Sequence, residues 1–445
     1  MTATRPAEQT PFHEAWRWLV SLRPRGIKLG LDRVRAALSA LGDPHKKLTA
    51  VIVGGTNGKG STSQMLAAIG HAANYRVGLY TSPHLIDVTE RIVVGGVRIS
   101  AADFSRLARR VRGVTEGDSP GDTPIPLTFF EVLTVMALVY FAEREVDFAV
   151  LEVGLGGRLD ATTVVTPKVA VLTNVALDHQ DYLGTTLDAI AQEKVGILAE
   201  GTTLVTAVDK RLFRDVVGPH AFELRCPIRR LGVDFQARWL SNGFRYRGWL
   251  QSVGPVRLGI RGVHQGENAA LACAAAESLG AHGFHFKAVH LAEGMMRARH
   301  PGRLERRPPS VGGHGETWPA LLLDGAHNPA GAGALASHIG SFLPERPRVM
   351  VFGVNPDKDV SGMLEPLAPH VDAIVLTASS VRPVTGWATY LAMASRCHDH
   401  VAVEPDAWQA LVTGRELAGP EGGLLVCGSL YLLGQLWTRL PDARP

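Results

Sequence analysis

The sequence predicts an α/β fold in two parts, a large N-terminal domain with a doubly wound, mainly parallel sheet and a smaller C-terminal Rossmann-like α/β domain. Short apolar runs alternate with helical segments, and strands buried on both faces of a parallel sheet have this near-continuous apolar character. With 445 residues, the chain is too long for one ordinary hydrophobic core. Polar residues also collect where the apolar runs end, which is where open parallel sheets bind ligands.

Each predicted strand is a short apolar run that is followed by a glycine-rich or polar stretch. In the first domain we predict strands at 49–53, 76–80, 147–153, 168–175 and 203–208. In the second domain we predict strands at 320–323, 348–352, 373–376, 401–403 and 424–426.

A second series of alternating strands and helices begins after residue 300 and predicts the domain boundary. Residues 1–299 form the first predicted domain, which includes a small β-rich section at about 221–260 where Arg, Trp, Phe and Gly alternate. Residues 300–303, His-Pro-Gly-Arg, are expected to be a linker. Residues 300–445 then form a second domain of ordinary size.

The overall composition excludes several classes of protein. Apolar residues make up 46% of the chain and charged residues 20%, as in folded proteins. The net charge of +4 gives no reason to expect a nucleic-acid partner. The four cysteines form no CxxC pair, and the first residues lack the apolar core of a signal peptide. We therefore expect a cytoplasmic protein with no membrane or nucleic-acid partner.

Residues 51–61, VIVGGTNGKGS, predict a phosphate-binding loop between a strand and a helix. Glycines let backbone N–H groups point at an anion, and the helix that begins after the loop turns its positive end toward it. Lys59 supplies a positive charge for the β- and γ-phosphates. The loop departs from the general G-x-x-x-x-G-K-[ST] pattern, because Val53 replaces the first glycine and Gly60 follows the lysine. Ser61 would then be the hydroxyl on the magnesium side.

Polar side chains follow the other predicted strands of the first domain. Glu152 ends one strand, His179 follows another, and Ser82 and His84 follow a third. A carboxylate close to a phosphate loop usually holds magnesium directly or through water. From composition alone, Glu152 could instead pair with Arg158, and His179 is equally compatible with a ligand or a core histidine.

Lys194 and three parts of the second domain carry further polar candidates. By itself, Lys194 is typical of a surface lysine on a half-apolar helix. Asp324 ends an apolar strand and His327 follows it closely, which favours a site over a simple turn. Arg303 is equally compatible with a nucleotide contact and a surface role. The loop 355–359, NPDKD, is typical of a solvated surface turn.

With these residues assembled, the chain resembles the folylpolyglutamate synthase/dihydrofolate synthase family, a branch of the Mur-type ATP-dependent ligases. The resemblance covers most of the chain and lies in an ordered set of motifs. They are IKLGLDRV (27–34), GTNGKGS (55–61), TSPHL (81–85), ERI (90–92), TFFEVLT (128–134), LEVGLGGRLDAT (151–162), TNVALDH (173–179), EKVGIL (193–198), HQGENAALA (264–272), PGRLE (301–305), DGAHNP (324–329), DKD (357–359) and GSLYLLG (428–434).

The resemblance implies roles for residues that spacing could not assign. It implies ATP contacts for Gly55, Thr56, Asn57, Gly58, Lys59, Gly60, Ser61, Asn268, Arg303, Asp324 and His327. It implies magnesium ligands at Ser61, Ser82, Glu152, His179 and Lys194, the last as a carbamylated lysine. It also implies catalytic roles for Lys59, Glu152, His179 and Lys194.

The implied reaction is ATP-dependent amide formation between L-glutamate and dihydropteroate or the glutamyl tail of a folate, through an acyl phosphate, in a monomeric enzyme. Two departures from the family pattern bear on the identity of the carboxylic acid substrate. Thr163 replaces an asparagine common in the family, and Pro356 can stiffen the loop before DKD. One alternative is therefore a Mur-type ligase for a non-pterin acid. The other is a phosphate-loop NTPase or kinase that acts as a switch.

Overall fold

The computed structural model describes residues 10–26, 28–117, 123–312, 315–355, 357–379 and 386–441. Pro356, which we predict to stiffen its loop, and Ile27 of the IKLGLDRV motif lie outside these ranges. Among the described residues, no helix is both long and apolar enough to cross a bilayer.

A mainly parallel eight-stranded sheet forms the centre of the N-terminal part. Its strands are β1 (Ala50–Gly54), β2 (Val77–Tyr80), β3 (Ile92–Val94), β4 (Val97–Arg98), β5 (Phe148–Glu152), β6 (Val169–Leu172), β7 (Thr203–Thr206) and β8 (Ile228–Arg230). Their spatial order is β4-β3-β2-β5-β1-β6-β7-β8, and only the β2–β3 and β3–β4 pairs are antiparallel. Strand β1 lies between β5 and β6, so the loop that follows β1 opens at the centre of the carboxyl edge.

Helices cover both faces of this sheet. They are α1 (Pro11–Ser21), α2 (Asp32–Ala40), α3 (Lys59–Ala72), α4 (Ala101–Glu116), α5 (Phe129–Glu143), α6 (Gln180–Leu183), α7 (Leu187–Val195), α8 (Lys210–Leu212) and α9 (Gly218–Glu223). Helix α5 begins at a capping box in which Thr128 accepts from the Glu131 amide and Glu131 accepts from the Thr128 amide. The same Glu131 carboxylate pairs with Arg33 of α2 at 2.7 Å.

A small antiparallel sheet and two helices complete the N-terminal part. The sheet contains β9 (Gln236–Leu240), β10 (Gly243–Arg247) and β11 (Ser252–Val256), and the helices are α10 (Gln265–Leu279) and α11 (Ala288–Arg297). Helix α10 packs against α3, β6 and β7, and fourteen of its fifteen residues are buried. Its small side chains therefore bring it close to the phosphate loop.

The C-terminal part has its own six-stranded sheet and its own core. The elements are β12 (Glu305–Arg307), β13 (Ser310–Val311), β14 (Thr317–Trp318), β15 (Ala320–Leu323), α12 (Pro329–Phe342), β16 (Arg348–Val354), α13 (Val360–Leu367), β17 (Ala373–Ala378), α14 (Trp387–Ser395), β18 (Val401–Val403), α15 (Ala407–Ala418), β19 (Gly423–Cys427) and α16 (Leu430–Trp437). The strands of the sheet follow the order β12-β15-β19-β16-β17-β18, and only β12 is antiparallel to its neighbour. Strands β13 and β14 form a separate antiparallel pair.

This architecture confirms the predicted fold class, a large mainly parallel sheet followed by a smaller Rossmann-like one. The boundary at residue 300 and the limits of the 221–260 section stay predictions. The chain crosses between the two sheets after α11, and α16 returns to the N-terminal part, where Gly434 lies directly against the Leu85 carbonyl. The carboxyl ends of both sheets consequently face a shared cleft, to which Asn57 and Asn328 both contribute.

Candidate functional site

Two glycines of the phosphate loop allow its backbone to pass closely under its neighbours. Gly55 has φ +133° and a Cβ there would overlap the Thr173 hydroxyl. Gly58 has φ +86°, and a Cβ there would overlap the Asn268 side chain of α10. Helix α3 begins immediately afterwards, at Lys59. The loop is therefore a backbone cradle at a helix N-terminus, which is a general arrangement for phosphate binding.

Two lysine ammonium groups meet at one carbonyl of this loop. Lys59 Nζ donates to the Gly55 carbonyl at 3.1 Å and to the Thr56 carbonyl at 2.9 Å. Lys194 Nζ donates to the same Gly55 carbonyl at 2.9 Å, and only 4% of Lys194 is exposed. Burial, with the charge of Lys59 adding to it, lowers the pKa of Lys194 to about 7. The interpretation of Lys194 as a surface lysine is therefore wrong.

Glu152 is buried beside the loop and faces Ser82. Its Oε2 accepts from the Ser82 amide at 3.0 Å, and burial raises the pKa of this carboxyl despite the nearby Lys59 and Arg303 charges. The alternative partner Arg158 instead pairs with Glu193 at 2.7 Å. Among the residues that the structure describes, Glu152 thus has no side-chain ion pair at the end of β5, where a cation bound to phosphate would need it.

Asp178 connects the two parts of the chain across the cleft. Its Oδ1 lies 2.6 Å from Lys358 Nζ, and its Oδ2 accepts from Asn328 Nδ2 at 3.0 Å and lies 3.7 Å from His327 Nε2. Burial alone would raise the pKa of Asp178. That pKa is nevertheless lowered, because the charges of Lys358, His179 and His327 outweigh the effect of burial. Lys358 and Asp178 side chains are 8% and 7% exposed, so the prediction of a solvated turn at 355–359 is wrong.

The loop residue Asn57 takes part in the same connection. Its side-chain amide exchanges two hydrogen bonds with the amide of Asn328, at 3.0 and 3.3 Å. The Asn57 backbone is fixed from the other side by Asn174 and Thr173. Thr56 is fixed too, since its hydroxyl donates to the Ala176 carbonyl at 3.1 Å. The loop is therefore held both by its own sheet and by the C-terminal part.

The predicted histidines lie on either side of Asp178. His179 has a left-handed φ of +50°, and its Nε2 lies 3.9 Å from Asp178 Oδ1. His327 Nδ1 contacts the Gly325 carbonyl at 2.9 Å, and burial lowers the pKa of His327 to about 4. Burial also lowers the pKa of His179. Both imidazoles are consequently neutral near pH 7.

Arg303 and Asp324 form the other wall of the cleft. Asp324 accepts from the backbone amides of Leu304 and Ala326, both at 2.8 Å, so this carboxylate fixes the turn that carries His327. Burial raises its pKa despite the Arg303 charge. Burial also lowers the pKa of Arg303, whose Nη1 donates to the Gly302 carbonyl at 3.1 Å. Arg303 shares favourable electrostatic interactions with Asp324 and Glu152.

The structure thus brings the predicted site residues of both parts to one cleft. His84 is less directly involved, because it accepts from Arg91 Nε at 2.9 Å and packs against Trp16. Sequence reasoning gave no site role to four residues of this cleft: Asp178, His300, Asn328 and Lys358. The signal for Asp178, Asn328 and Lys358 was their position in polar stretches that follow predicted strands, whereas nothing local marked His300.

The donor groups fit magnesium that is shared with a nucleotide. Glu152 offers a carboxylate and Ser61 and Ser82 offer hydroxyls, the oxygen donors that Mg²⁺ prefers. Across the described ranges, no three His, Cys, Asp or Glu side chains form a ready-made metal cluster. Mg²⁺ is usually held by few protein ligands together with substrate phosphates and water.

Two family models match the chain and divide it in the same order as its sheets. The Mur ligase middle domain matches residues 53–276, and the Mur ligase glutamate ligase domain matches residues 302–430. The first match alone covers half of the chain. It contains the phosphate loop, Glu152, Lys194 and Asn268, while the second contains Asp324 and Lys358.

Individual relatives match over nearly the full length. The dihydrofolate synthase/folylpolyglutamate synthase of Bacillus subtilis (strain 168) is 34% identical, covering 97% of this chain and 99% of the relative. The Mycobacterium tuberculosis folylpolyglutamate synthase complexed with ADP and AMPPCP has a TM-score of 0.85 at 30% identity, covering 96% of this chain and 98% of that one. Escherichia coli FolC in complex with DHPP and ADP has a TM-score of 0.82 at 30% identity, covering 98% and 99%. Motifs, fold and full-length similarity agree, and the chain belongs to the folylpolyglutamate synthase/dihydrofolate synthase family of Mur ligases.

Proposed function

We propose that this chain is an ATP-dependent ligase that joins the amino group of L-glutamate to dihydropteroate, to the glutamyl tail of a folate, or to both. The observation that carries the proposal is a phosphate loop closed by the second domain through Asp178, Asn328 and Lys358. A cleft of this kind excludes water from a reactive acyl phosphate. The solved relative from Mycobacterium tuberculosis is complexed with ADP and AMPPCP, and the one from Escherichia coli with DHPP and ADP. These ligands support ATP and a pterin as substrates.

The reaction proceeds in two displacements. A carboxylate oxygen of the pterin substrate attacks the γ-phosphorus of ATP, the bond to the bridging oxygen breaks, and ADP leaves. The glutamate nitrogen then attacks the acyl carbon, phosphate leaves, and the nitrogen loses its proton as the amide forms. Catalysis of such a transfer depends chiefly on positioning and on charge stabilisation.

The residues of the cleft divide this work between them. The loop amides and Lys59 bind and orient the β- and γ-phosphates, with Gly55–Gly60 shaping the cradle. Asn268, Arg303, Asp324 and His327 contact or position the nucleotide between the domains. Ser61, Ser82, Glu152 and His179 would hold magnesium, which supplies further neutralisation of phosphate charge when it is bound.

We further propose that Lys194 is carbamylated and adds a carboxylate to this set. A lysine that is buried, with a pKa lowered to about 7, has a substantial share of neutral amine at pH 7.5, and the neutral amine is the form that reacts with carbon dioxide. Lys194→Ala should abolish turnover, and short-chain carboxylic acids should restore part of it. Normal activity of Lys194→Ala without added acid would contradict the proposal.

The central experiment measures ADP release with dihydropteroate and tetrahydrofolate offered separately, each with and without L-glutamate. Release that requires both glutamate and a pterin supports the proposal, and the preferred pterin distinguishes the two activities. Turnover of a non-pterin acid with both pterins inert would favour a different Mur-type substrate.

Thr163 replaces the asparagine that is common at this position in the family and therefore offers no side-chain amide. Its hydroxyl instead donates to the Asp160 carbonyl at 2.7 Å.

The purified protein also allows tests of the remaining proposals, which concern the whole molecule. We propose a monomer that acts in the cytoplasm, with domains at 1–299 and 300–445. Sedimentation measures the mass in solution. Limited proteolysis that cuts first near residue 300 would support the boundary, and first cuts inside either sheet would contradict it.

A further inference from the structure

His300, in the segment that joins the two sheets, reaches into the phosphate loop. Its Nδ1 lies 3.1 Å from Ser61 Oγ, the second residue after Lys59. The adjoining edge of the ring lies over Gly60, where a Cβ would come within 2.7 Å of His300 Cε1 and 3.3 Å of Glu152 Oε1. The imidazole therefore packs against the loop, on the side of Gly60 that also faces the Glu152 carboxylate.

The direction of this hydrogen bond follows from the chemistry of the two groups. The Ser61 hydroxyl carries one hydrogen and rotates to suit its partner, and an imidazole with its proton at Nε2 offers the lone pair of Nδ1 as the acceptor. In that tautomer the Ser61 hydroxyl hydrogen points at His300, and the lone pairs of its oxygen face away from the ring.

That direction matters because a serine binds a magnesium ion through its oxygen. If the hydroxyl hydrogen pointed toward the ion, the oxygen lone pairs would be turned away from it. An acceptor on the side opposite the ion is therefore required to orient the hydroxyl. In this chain, the acceptor comes from the interdomain segment rather than from the sheet that carries the loop.

We propose that His300 is a positioning residue that orients the Ser61 hydroxyl for the magnesium–nucleotide complex and so links the interdomain segment to the phosphate loop. The role rests on the proposed function for the choice of nucleotide and metal. It does not depend on glutamate ligation, because it concerns binding alone. His300 also precedes Arg303 by three residues, so one short segment contributes to both the metal side and the nucleotide side of the cleft.

The test compares binding of AMPPCP with and without Mg²⁺ by calorimetry, using the full-length chain. His300→Phe keeps the ring but removes the acceptor, whereas His300→Asn keeps an acceptor oxygen close to the Nδ1 position but removes the ring. We expect His300→Phe to lose roughly threefold to tenfold of the affinity gained with Mg²⁺, the usual range for one hydrogen bond. Affinity without Mg²⁺ should stay unchanged, and His300→Asn should retain most of the gain.

Two outcomes would overturn the proposal. If His300→Phe matches the wild type while His300→Asn is impaired, the ring acts by packing alone. If His300→Phe weakens binding further in a Ser61→Ala background, it does not act through Ser61, because residues in one hydrogen-bonded unit give non-additive effects. The binding readout remains valid even if the chain ligates no glutamate, so failure of this proposal and failure of the proposed function are distinguishable.

Discussion

The chemistry of Lys59 depends on the loop that surrounds its ammonium group. Its ammonium lies against the Gly55 and Thr56 carbonyls, at the mouth of a helix N-terminus. A phosphate that binds there meets a positive charge already held in position. Removing that charge removes an interaction that strengthens as the phosphoryl group is transferred.

We expect Lys59→Ala to abolish turnover, by at least about 10³-fold, while leaving the fold intact. Circular dichroism and the unfolding midpoint check the fold, and ADP release checks the activity. Lys168, which lies before β6 and away from the loop, offers a matched control as Lys168→Ala. Near-normal activity of Lys59→Ala would contradict the phosphate-loop assignment.

His84 provides a test of acid stability, because burial, together with Arg91 and Arg23, lowers its pKa to about 3. In the unfolded chain the pKa is about 6.5, so between these values the unfolded state binds a proton that the folded state does not. Stability due to neutral His84 is therefore present above about pH 6.5 and is lost as the pH falls. His84→Asn keeps an acceptor for Arg91 without this titration.

We expect the wild type to lose about 2 kcal/mol more of its free energy of unfolding than His84→Asn between pH 7 and pH 5. Urea unfolding at the two pH values measures the difference. An equal loss of unfolding free energy in the two proteins would show that His84 does not cause the loss of stability at low pH.

At the scale of elements, the close contact between α3 and α11 depends on one glycine. A Cβ at Gly294 of α11 would overlap the backbone N and Cα of Ile69 in α3, and backbone cannot yield as a side-chain end can. Gly333 of α12 makes the opposite case, because no atom lies within 4 Å of a Cβ built there. Both glycines lie inside helices.

We expect Gly294→Ala to lower the free energy of unfolding by about 1–3 kcal/mol through overpacking. Gly333→Ala should instead raise it by about 0.5–1 kcal/mol, because alanine favours a helix interior. Chemical unfolding of both variants gives the comparison. An unchanged free energy of unfolding in Gly294→Ala would show that α11 can shift away from α3 without cost.

The sequence was most informative about elements whose pattern is local. All five strands predicted for the second domain are present, because each is a continuous apolar run before a polar turn. Strand β12 was missed, since its residues Glu305–Arg307 carry no apolar pattern and pair only through the sheet edge. Helix α3 begins at Lys59, inside the motif predicted as a loop, because the left-handed φ of Gly58 ends the loop there.

The site divides in the same way. Lys59 and Glu152 are marked by their position after apolar strands, and the structure places both in the cleft. Lys358 also lies in a polar loop after an apolar strand, but that loop has the composition of a surface turn, and the burial of Lys358 depends on Asp178, 180 residues away. Contacts between distant segments depend on tertiary packing, which a local pattern does not encode.

At the scale of the whole molecule, the ion pair between Asp178 and Lys358 joins the two parts of the chain. Because both groups are almost fully buried, removing either one leaves an unpaired charge inside the cleft. Removing both leaves none. The pair therefore offers a test of how strongly the parts are coupled.

We expect Asp178→Asn and Lys358→Met each to cost about 3 kcal/mol of stability and to raise the KM for ATP. The double variant should cost no more than about one of the singles, since the two effects are not additive. Arg225→Met is the control, because its pair with Glu200 is exposed and should contribute under about 1 kcal/mol. Additive effects of Asp178→Asn and Lys358→Met would show that the two charges act independently.

The burial of helix α10 has a consequence for how sequences of this kind can diverge. Six of its fifteen residues are alanine, and fourteen are enclosed by α3, the main sheet and the small sheet. A larger side chain there requires a smaller one in a facing element, so accepted changes should arise as matched pairs. An alignment of related sequences should therefore show stronger covariation between α10 and α3 than between α10 and exposed positions. Such covariation would show that the packing of α10 against α3 has been maintained while the sequences diverged.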